Sequence, residues 1–206
     1  MIAIVDYGAS NLRSVANAFK VIGCDVKITS VPADLEKASA IVLPGVGAFG
    51  DGMKMLRKLD LITALNEQVI GCQKPYLGIC LGLQFLAEKS LEYGTHKGLG
   101  WIDGIVQKIV TGEHRFRIPH IGWNEVNIQQ NNPLFRNIDA TPVFYFVHSY
   151  QLVAEGDSVN VITSTCWHGT TITASVQKDN IYAVQFHPEK SQQSGLNVLK
   201  NFVGLL

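Results

Sequence analysis

The chain has 206 residues, 47% of them hydrophobic, with Gly and Pro scattered rather than clustered, as fits one large domain spanning 1–206 with an ample core. Lys+Arg 17 and Asp+Glu 17 cancel and no basic run breaks the balance, so composition gives no footing for a nucleic acid or an anionic membrane. A charged fraction of 17% is below the usual quarter, which follows if part of the surface is meant for another subunit or if the buried core is large.

The N-terminus, MIAIVDYGAS, has no basic leader region and only a short apolar run. It reads as a first strand at 2–5, not a signal peptide or membrane span, and places the protein in the cytoplasm. Leu12, Val15, Phe19 and Ile22 mark a helix, capped by Ser10 or Asn11 and ended by Gly23. Strand-like runs follow at 25–29 and 40–43, and this alternation predicts an α/β fold: an open, mostly parallel, flavodoxin-like sheet with helices on both faces. Directly after the third run comes PGVGAFG, residues 44–50, whose glycines spell G-x-G-x-x-G. A dinucleotide site also needs an acidic residue about 20 positions on, at the end of a second strand. At that distance Leu61, Leu65 and Val69 keep helical spacing and Glu67 falls within the helix, so the glycines serve another purpose.

Further strands are expected at 75–79, 103–109, 143–147, 159–163, 171–177 and 181–186. Leu196, Leu199, Phe202 and Leu206 mark a closing amphipathic helix. Cys24, Cys72, Cys80 and Cys166 form no C-x-x-C pair, and three of them read as small buried hydrophobes.

The exception is Cys80. In YLGICLGLQFL a strand runs into Gly78-Ile79-Cys80-Leu81-Gly82 and then a helix beginning near Leu83, the shape of a G-x-S-x-G nucleophile elbow with cysteine replacing serine. A sharp strand-to-helix turn leaves no room for side chains two before and two after the nucleophile, hence the glycines. The helix start would favour the thiolate and offer backbone N–H groups to an oxyanion. The matching base is His187 in VQFHPEKS, which Pro188 pushes toward an extended conformation, with Glu189 two residues on to orient the imidazole. Cys166 and His168 in TCWHG form a rival pair without an elbow.

Together these residues resemble the class I, or triad, glutamine amidotransferases, in the branch of the glutaminase subunits of imidazole glycerol phosphate synthases. The likeness spans the chain through DYGASNLRSV, LPGVGAFGDGM, LGICLGLQFL, PHIGWNEV, NPLF, FYFVHSY and YAVQFHPEKS. The resemblance implies a Cys80-His187-Glu189 triad acting on L-glutamine, with no cofactor or metal. It gives PGVGAFG a role: a peptide N–H from Gly45, Val46 or Gly47, with that of Leu81, would hold the oxyanion. Gln84, His148, Ser149 and Tyr150 would contact the amino and carboxylate ends of glutamine, or else Gln84 only decorates the elbow helix and HSY only finishes a strand. Ammonia needs a sheltered route to an acceptor, and the resemblance implies a separate (β/α)8-barrel cyclase forming a heterodimer, with Trp123, Tyr145 and Lys190 as docking or gating residues. Two positions depart from the family's usual pattern, Trp101 where a smaller apolar residue is common and His168 where an aromatic residue precedes the glycine. The alternatives are a glutaminase serving vitamin B6 or tryptophan synthesis, and a silent α/β subunit for binding or scaffolding. PGVGAFG and IPHIGWN weigh against the first, the intact triad against the second.

Overall fold

Alternate residues of the first and third strands sort to opposite sides of a sheet. Ala3, Val5, Ile41 and Leu43 enter one apolar cluster, Ile2, Ile4, Ala40 and Val42 the other, and all eight are buried. Strands apolar on both faces must be covered on both faces, which is the layering of a parallel α/β sheet. The computed structural model describes residues 1–8, 11–112 and 115–206.

Its central sheet is ordered β2 (Val26–Thr29), β1 (Ile2–Val5), β3 (Ala40–Gly45), β4 (Tyr76–Cys80), β14 (Ile181–Val184), β13 (Thr171–Lys178), β12 (Ile162–Trp167), β9 (Asn127–Ile128). From β2 to β14 every pairing is parallel, and from β14 outward every pairing is antiparallel. The order 2-1-3-4 is the flavodoxin-like winding, which puts ligands at the carboxyl ends of the parallel strands. One face is covered by α2 (Pro32–Lys37), α3 (Phe49–Lys58) and α4 (Leu61–Leu65) through Leu35, Phe49, Met53, Leu56, Leu61 and Leu65. The other is covered by α1 (Leu12–Val21) and α6 (Gln192–Val203) through Val15, Phe19, Val198, Leu199 and Phe202. Burying such side chains contributes about 1.5–3 kcal/mol each.

Two small sheets add to the two apolar clusters, Ala87, Ile102, Val106 and Leu152 to one and Phe144 and Phe146 to the other. β8 (His120–Glu125) pairs antiparallel with β10 (Val143–His148), and β11 (Tyr150–Ala154), β7 (Ile102–Lys108), β5 (Ala87–Ser90) and β6 (His96–Lys97) form the second. β5, β6, β8, β9 and β11 were not expected from the sequence. The expected strand at 159–163 is instead mostly a 3-10 turn, Gly156–Val161, with β12 starting one residue later at Ile162. Val159 is exposed there, so no core contact holds it in a sheet. The helix expected around Leu61 to Val69 passes from α4 into a π-helical turn at Asn66–Gly71. α1 ends as expected: Gly23 at φ +78° lets the Cys24 N–H reach Phe19 O at 3.0 Å. Of its two proposed caps, Ser10 lies outside the described residues, and Asn11 makes no side-chain cap bond.

Candidate active site

β3 and β4 run parallel until Gly45 stands opposite Cys80. The strand then turns at once: Cys80 has φ +55° and ψ −104°, a region that L-residues rarely occupy, and α5 (Leu81–Gln84) begins at the next residue. The helix therefore starts before Leu83 and lasts a single turn. Neither flanking glycine has room for a side chain. A Cβ on Gly78 would lie 2.6 Å from Gly82 O, and one on Gly82 would collide with Leu43 O. Below the turn, Tyr76 donates its hydroxyl to Gly82 O at 3.0 Å. Trp101 packs edge-on to Tyr76 at 5.2 Å and donates Nε1–H to Asn66 Oδ1 at 2.8 Å, so it braces the floor of the elbow.

His187 is extended, φ −102° and ψ 97°, as the following proline requires. Pro188–Lys190 is a 3-10 turn, so Glu189 reaches the imidazole by curling back and not by the two-residue period of an extended chain. His187 Nδ1 lies 2.7 Å from Glu189 Oε1, and both side chains are buried. Because a carboxylate only accepts, Nδ1 carries a proton and donates it to Glu189. His187 Nε2 and Glu189 Oε2 have no hydrogen-bond partner. Burial alone would lower the His187 pKa, but the negative charge of a Cys80 thiolate and the Glu189 carboxylate outweigh it and raise the value to about 10. Cys80 is thus close enough to raise the ring's pKa both by its charge and by hydrogen bonding, although no contact of Nε2 meets strict hydrogen-bond geometry.

Three further residues hold this group. Asn11, at φ +87°, donates Nδ2–H to Glu189 Oε1 at 2.5 Å. Gln185 donates Nε2–H to Cys80 Sγ at 3.5 Å and accepts from Gln84 Nε2 at 3.0 Å. The second N–H of Gln84 goes to Tyr150 O at 3.0 Å, so only Oε1 of that amide remains to accept.

A cavity of about 410 Å³ opens over Cys80, lined by Val46, Gly47, Leu81 and Gln84 on one side and by His148, Ser149 and Tyr150 on the other. Glu92 and Lys108, which the sequence reading did not single out, line it too. Gly47, at φ +109° with open space where a Cβ would stand, keeps this loop conformationally free. The HSY segment is braced from behind. His148 Nδ1–H donates to Tyr150 O at 2.8 Å, so its Nε2 accepts from His120 Nδ1–H at 3.0 Å, and Asn124 Nδ2 lies 3.2 Å from His120 Nε2. Burial lowers the pKa of His120 to about 3 and that of His148 to about 4. His168 stacks on His120 at 4.1 Å and donates to Arg117 O at 2.9 Å, so it belongs to this brace and not to a second catalytic pair. Cys166 is buried, and burial pushes its thiol up to about 12. The other two cysteines correct the expectation: Cys72 is exposed and Cys24 partly so.

Trp123, Tyr145 and Lys190 lie outside the cavity but together. Trp123 and Tyr145 are cross-strand neighbours 5.9 Å apart, and Lys190 Nζ sits 5.7 Å from the Tyr145 ring centroid. Among the described residues no group of three or more His, Cys, Asp or Glu is arranged to hold a metal ion, and no helix is long and apolar enough to cross a membrane.

A cysteine elbow at the end of a parallel strand, beside a histidine bonded to a glutamate, defines a class of thiol acyl-transfer enzymes. The chain belongs to the class-I glutamine amidotransferase family, whose model matches residues 3–205. It is 47% identical over 205 residues, covering 100% of both chains, to the imidazole glycerol phosphate synthase subunit HisH 1 of Campylobacter jejuni strain RM1221. It is also 47% identical to subunit HisH of Methanothermobacter thermautotrophicus, covering 100% of this chain and 99% of that one. Within its class, then, the chain belongs to the HisH glutaminase subunits of imidazole glycerol phosphate synthase. The fold matches a crystal structure described as a glutamine amidotransferase with a TM-score of 0.77 at 17% identity, covering 100% of this chain and 98% of that one. It matches a glutamine amidotransferase from Thermotoga maritima with a TM-score of 0.65 at 18% identity, covering 99% of this chain and 80% of that one.

Proposed function

We propose that this chain hydrolyses L-glutamine through a Cys80-His187-Glu189 triad, and that it works in the cytoplasm as half of a heterodimer whose (β/α)8-barrel cyclase consumes the ammonia to make imidazole glycerol phosphate and aminoimidazole carboxamide ribotide. The observation that carries this reading is the pairing of a strained Cys80 with an imidazole whose Nδ1 is fixed by Glu189 and whose Nε2 is left unpartnered.

Cys80 sulfur adds to the side-chain carboxamide carbon of glutamine, and the carbonyl pair moves onto oxygen. The N–H of Leu81 and a peptide N–H within Gly45, Val46 and Gly47 are the donors for that oxyanion, at roughly 3 kcal/mol each. His187, raised in pKa beside the thiolate, carries the proton that the departing nitrogen takes from Nε2, releasing ammonia. Water then attacks the thioester, His187 takes its proton, and expulsion of Cys80 frees glutamate. Glu189 accepts from Nδ1 throughout and so keeps Nε2 toward the reaction.

The cavity suits a zwitterionic amino acid. Gln84, left with an acceptor only, and the Glu92 carboxylate suit the α-ammonium; Lys108 and the Ser149 and Tyr150 segment suit the α-carboxylate. Trp123, Tyr145 and Lys190 are the docking residues, set in an outward face that also exposes Ile121 and Val143. Tyr145 is bonded to the catalytic strand end, since its carbonyl accepts the His187 N–H at 2.9 Å.

Steady-state glutamine hydrolysis by the free chain, and by the complex with an unreactive acceptor analogue, tests this reading. A loop that leaves the oxyanion one donor short in the free chain predicts that the complex gains about 10²- to 10³-fold in kcat with KM little changed. A free chain as fast as the complex would contradict the loop account, and a gain wholly in KM would mean that the partner builds the glutamine pocket.

A further inference from the structure

Tyr7 stands just past the end of β1, its ring packed edge-on against Phe85 at 5.7 Å, and it is only 3% exposed. Its hydroxyl has no hydrogen-bond partner. Among the described residues the other two buried side-chain polar atoms in that position are His187 Nε2 and Glu189 Oε2, so every one of them sits in or beside the triad. A buried hydroxyl without a partner is unfavourable and rare, and asks for an explanation.

The location supplies one. A Cβ built on Gly45 would land on the Tyr7 hydroxyl and would touch Leu81 Cβ at 3.0 Å. The hydroxyl therefore lies against the Gly45 backbone, between the end of β3 and the first residue after Cys80. Tyr7 is not among the residues that line the cavity, so it stands behind the Gly45 to Gly47 loop and not in the glutamine site. Burial and the charge of Cys80 both drive the phenol pKa well up, so the group is a proton donor throughout the working pH range. The N–H and C=O of a planar trans peptide point in opposite directions. A Gly45–Val46 peptide that turns its N–H toward the substrate must send the Gly45 carbonyl back into the protein, onto the side where the hydroxyl waits.

We propose that Tyr7 is a positioning residue for the oxyanion hole: its hydroxyl donates to the Gly45 carbonyl when the Gly45–Val46 peptide turns its N–H to the cavity, and so favours the turned loop. This rests on the turning loop of the functional reading above and adds the protein group that captures the turned state. The absence of a side chain on Gly45 has the same cause, since any Cβ would occupy the place of the hydroxyl.

The test is Tyr7→Phe, which keeps the ring contact with Phe85 and removes only the oxygen. Glutamine hydrolysis is measured for the free variant chain and for its complex with the cyclase and an unreactive acceptor analogue, alongside the parent. The kcat of the complex is expected to fall roughly three- to tenfold, the value of one neutral hydrogen bond, with KM within about twofold and the free chain unchanged. Thermal unfolding of the free variant should be no lower than that of the parent, because a hydroxyl with no partner has been removed. A glutamate-γ-semialdehyde inhibitor, whose adduct with Cys80 carries the oxyanion, should bind the variant complex more weakly by the same factor. Full stimulation and unweakened inhibitor binding in Tyr7→Phe would overturn the assignment while leaving the functional reading intact. Equal losses in the free chain and the complex, with a lower melting temperature, would overturn it by showing that Tyr7 only supports the fold. A parent complex with no stimulation in kcat would remove the turning loop, and Tyr7's role with it.

Discussion

Glu189 Oε1 accepts from both His187 Nδ1 and Asn11 Nδ2, so the orientation of the base depends on a residue 178 positions away. A histidine that carries the proton and a glutamate that orients it should not be equally sensitive. His187→Asn should remove nearly all glutamine hydrolysis, whereas Glu189→Gln should leave a measurable fraction. Asn11→Ala keeps the proton carrier and loses one bond to a charged group, worth about 1.5–3 kcal/mol. Its kcat should fall about ten- to a hundredfold with KM nearly constant, measured in the complex. A kcat within twofold of the parent would show that Glu189 holds its place without Asn11.

At the scale of elements, the elbow turns on two glycines and a one-turn helix. A Cβ on Gly82 must displace the Leu43 carbonyl of β3, so Gly82→Ala should cost about 1–3 kcal/mol and lower the melting temperature by several degrees, as differential scanning calorimetry would register. The histidine brace behind the HSY segment gives the fold a pH dependence. His120 and His148 are held neutral, with pKa values lowered to about 3 and about 4, whereas the unfolded chain binds their protons near pH 6.5. Their contribution to stability is present above pH 6.5 and is lost as pH falls toward 4, by up to about 1.4 kcal/mol per pH unit for each ring. Denaturant midpoints between pH 7 and 4.5 measure it, and His120→Asn should flatten the slope.

The parallel half of the fold was legible because β1, β3 and β4 are apolar runs followed by turns that contain glycine, and Cys80 and His187 were legible because glycine spacing and a proline fix their backbone, whereas Glu189 reaches the ring through a 3-10 turn that an extended chain does not give. The missed strands have different physics. β8 reads HIGWNE and alternates regularly, but Ile121 and Trp123 lie on the exposed face and His120 on the buried one, so its apolar residues do not mark a core face. β6 and β9 are two residues each and owe their form to neighbouring strands. Asn11 looked like a cap because asparagine at a helix start usually is one; only the folded chain brings it to Glu189. Gln185, Glu92 and Lys108 carry no local signal, since their neighbours in the site come from distant segments.

For the whole molecule, the proposed docking face is tied to the site through one backbone contact. Trp123, Tyr145 and Lys190 form one contact group on the outer side of the β8–β10 pair, and the Tyr145 carbonyl holds the His187 N–H. Trp123 is 49% exposed in the free chain, and an aromatic anchor of this kind carries a large share of interface energy. Trp123→Ala should weaken association with the cyclase by about ten- to a hundredfold in calorimetric titration, while labelling of Cys80 by an electrophilic glutamine analogue in the free chain stays as in the parent. The central claim, that Cys80 makes ammonia here and a partner consumes it elsewhere, is tested most directly by supplying the complex of the Cys80→Ala chain with either nitrogen source. Formation of imidazole glycerol phosphate should disappear with glutamine and persist at the parental rate with ammonium salts at alkaline pH. Continued synthesis from glutamine, or loss of the ammonia-dependent reaction as well, would contradict it.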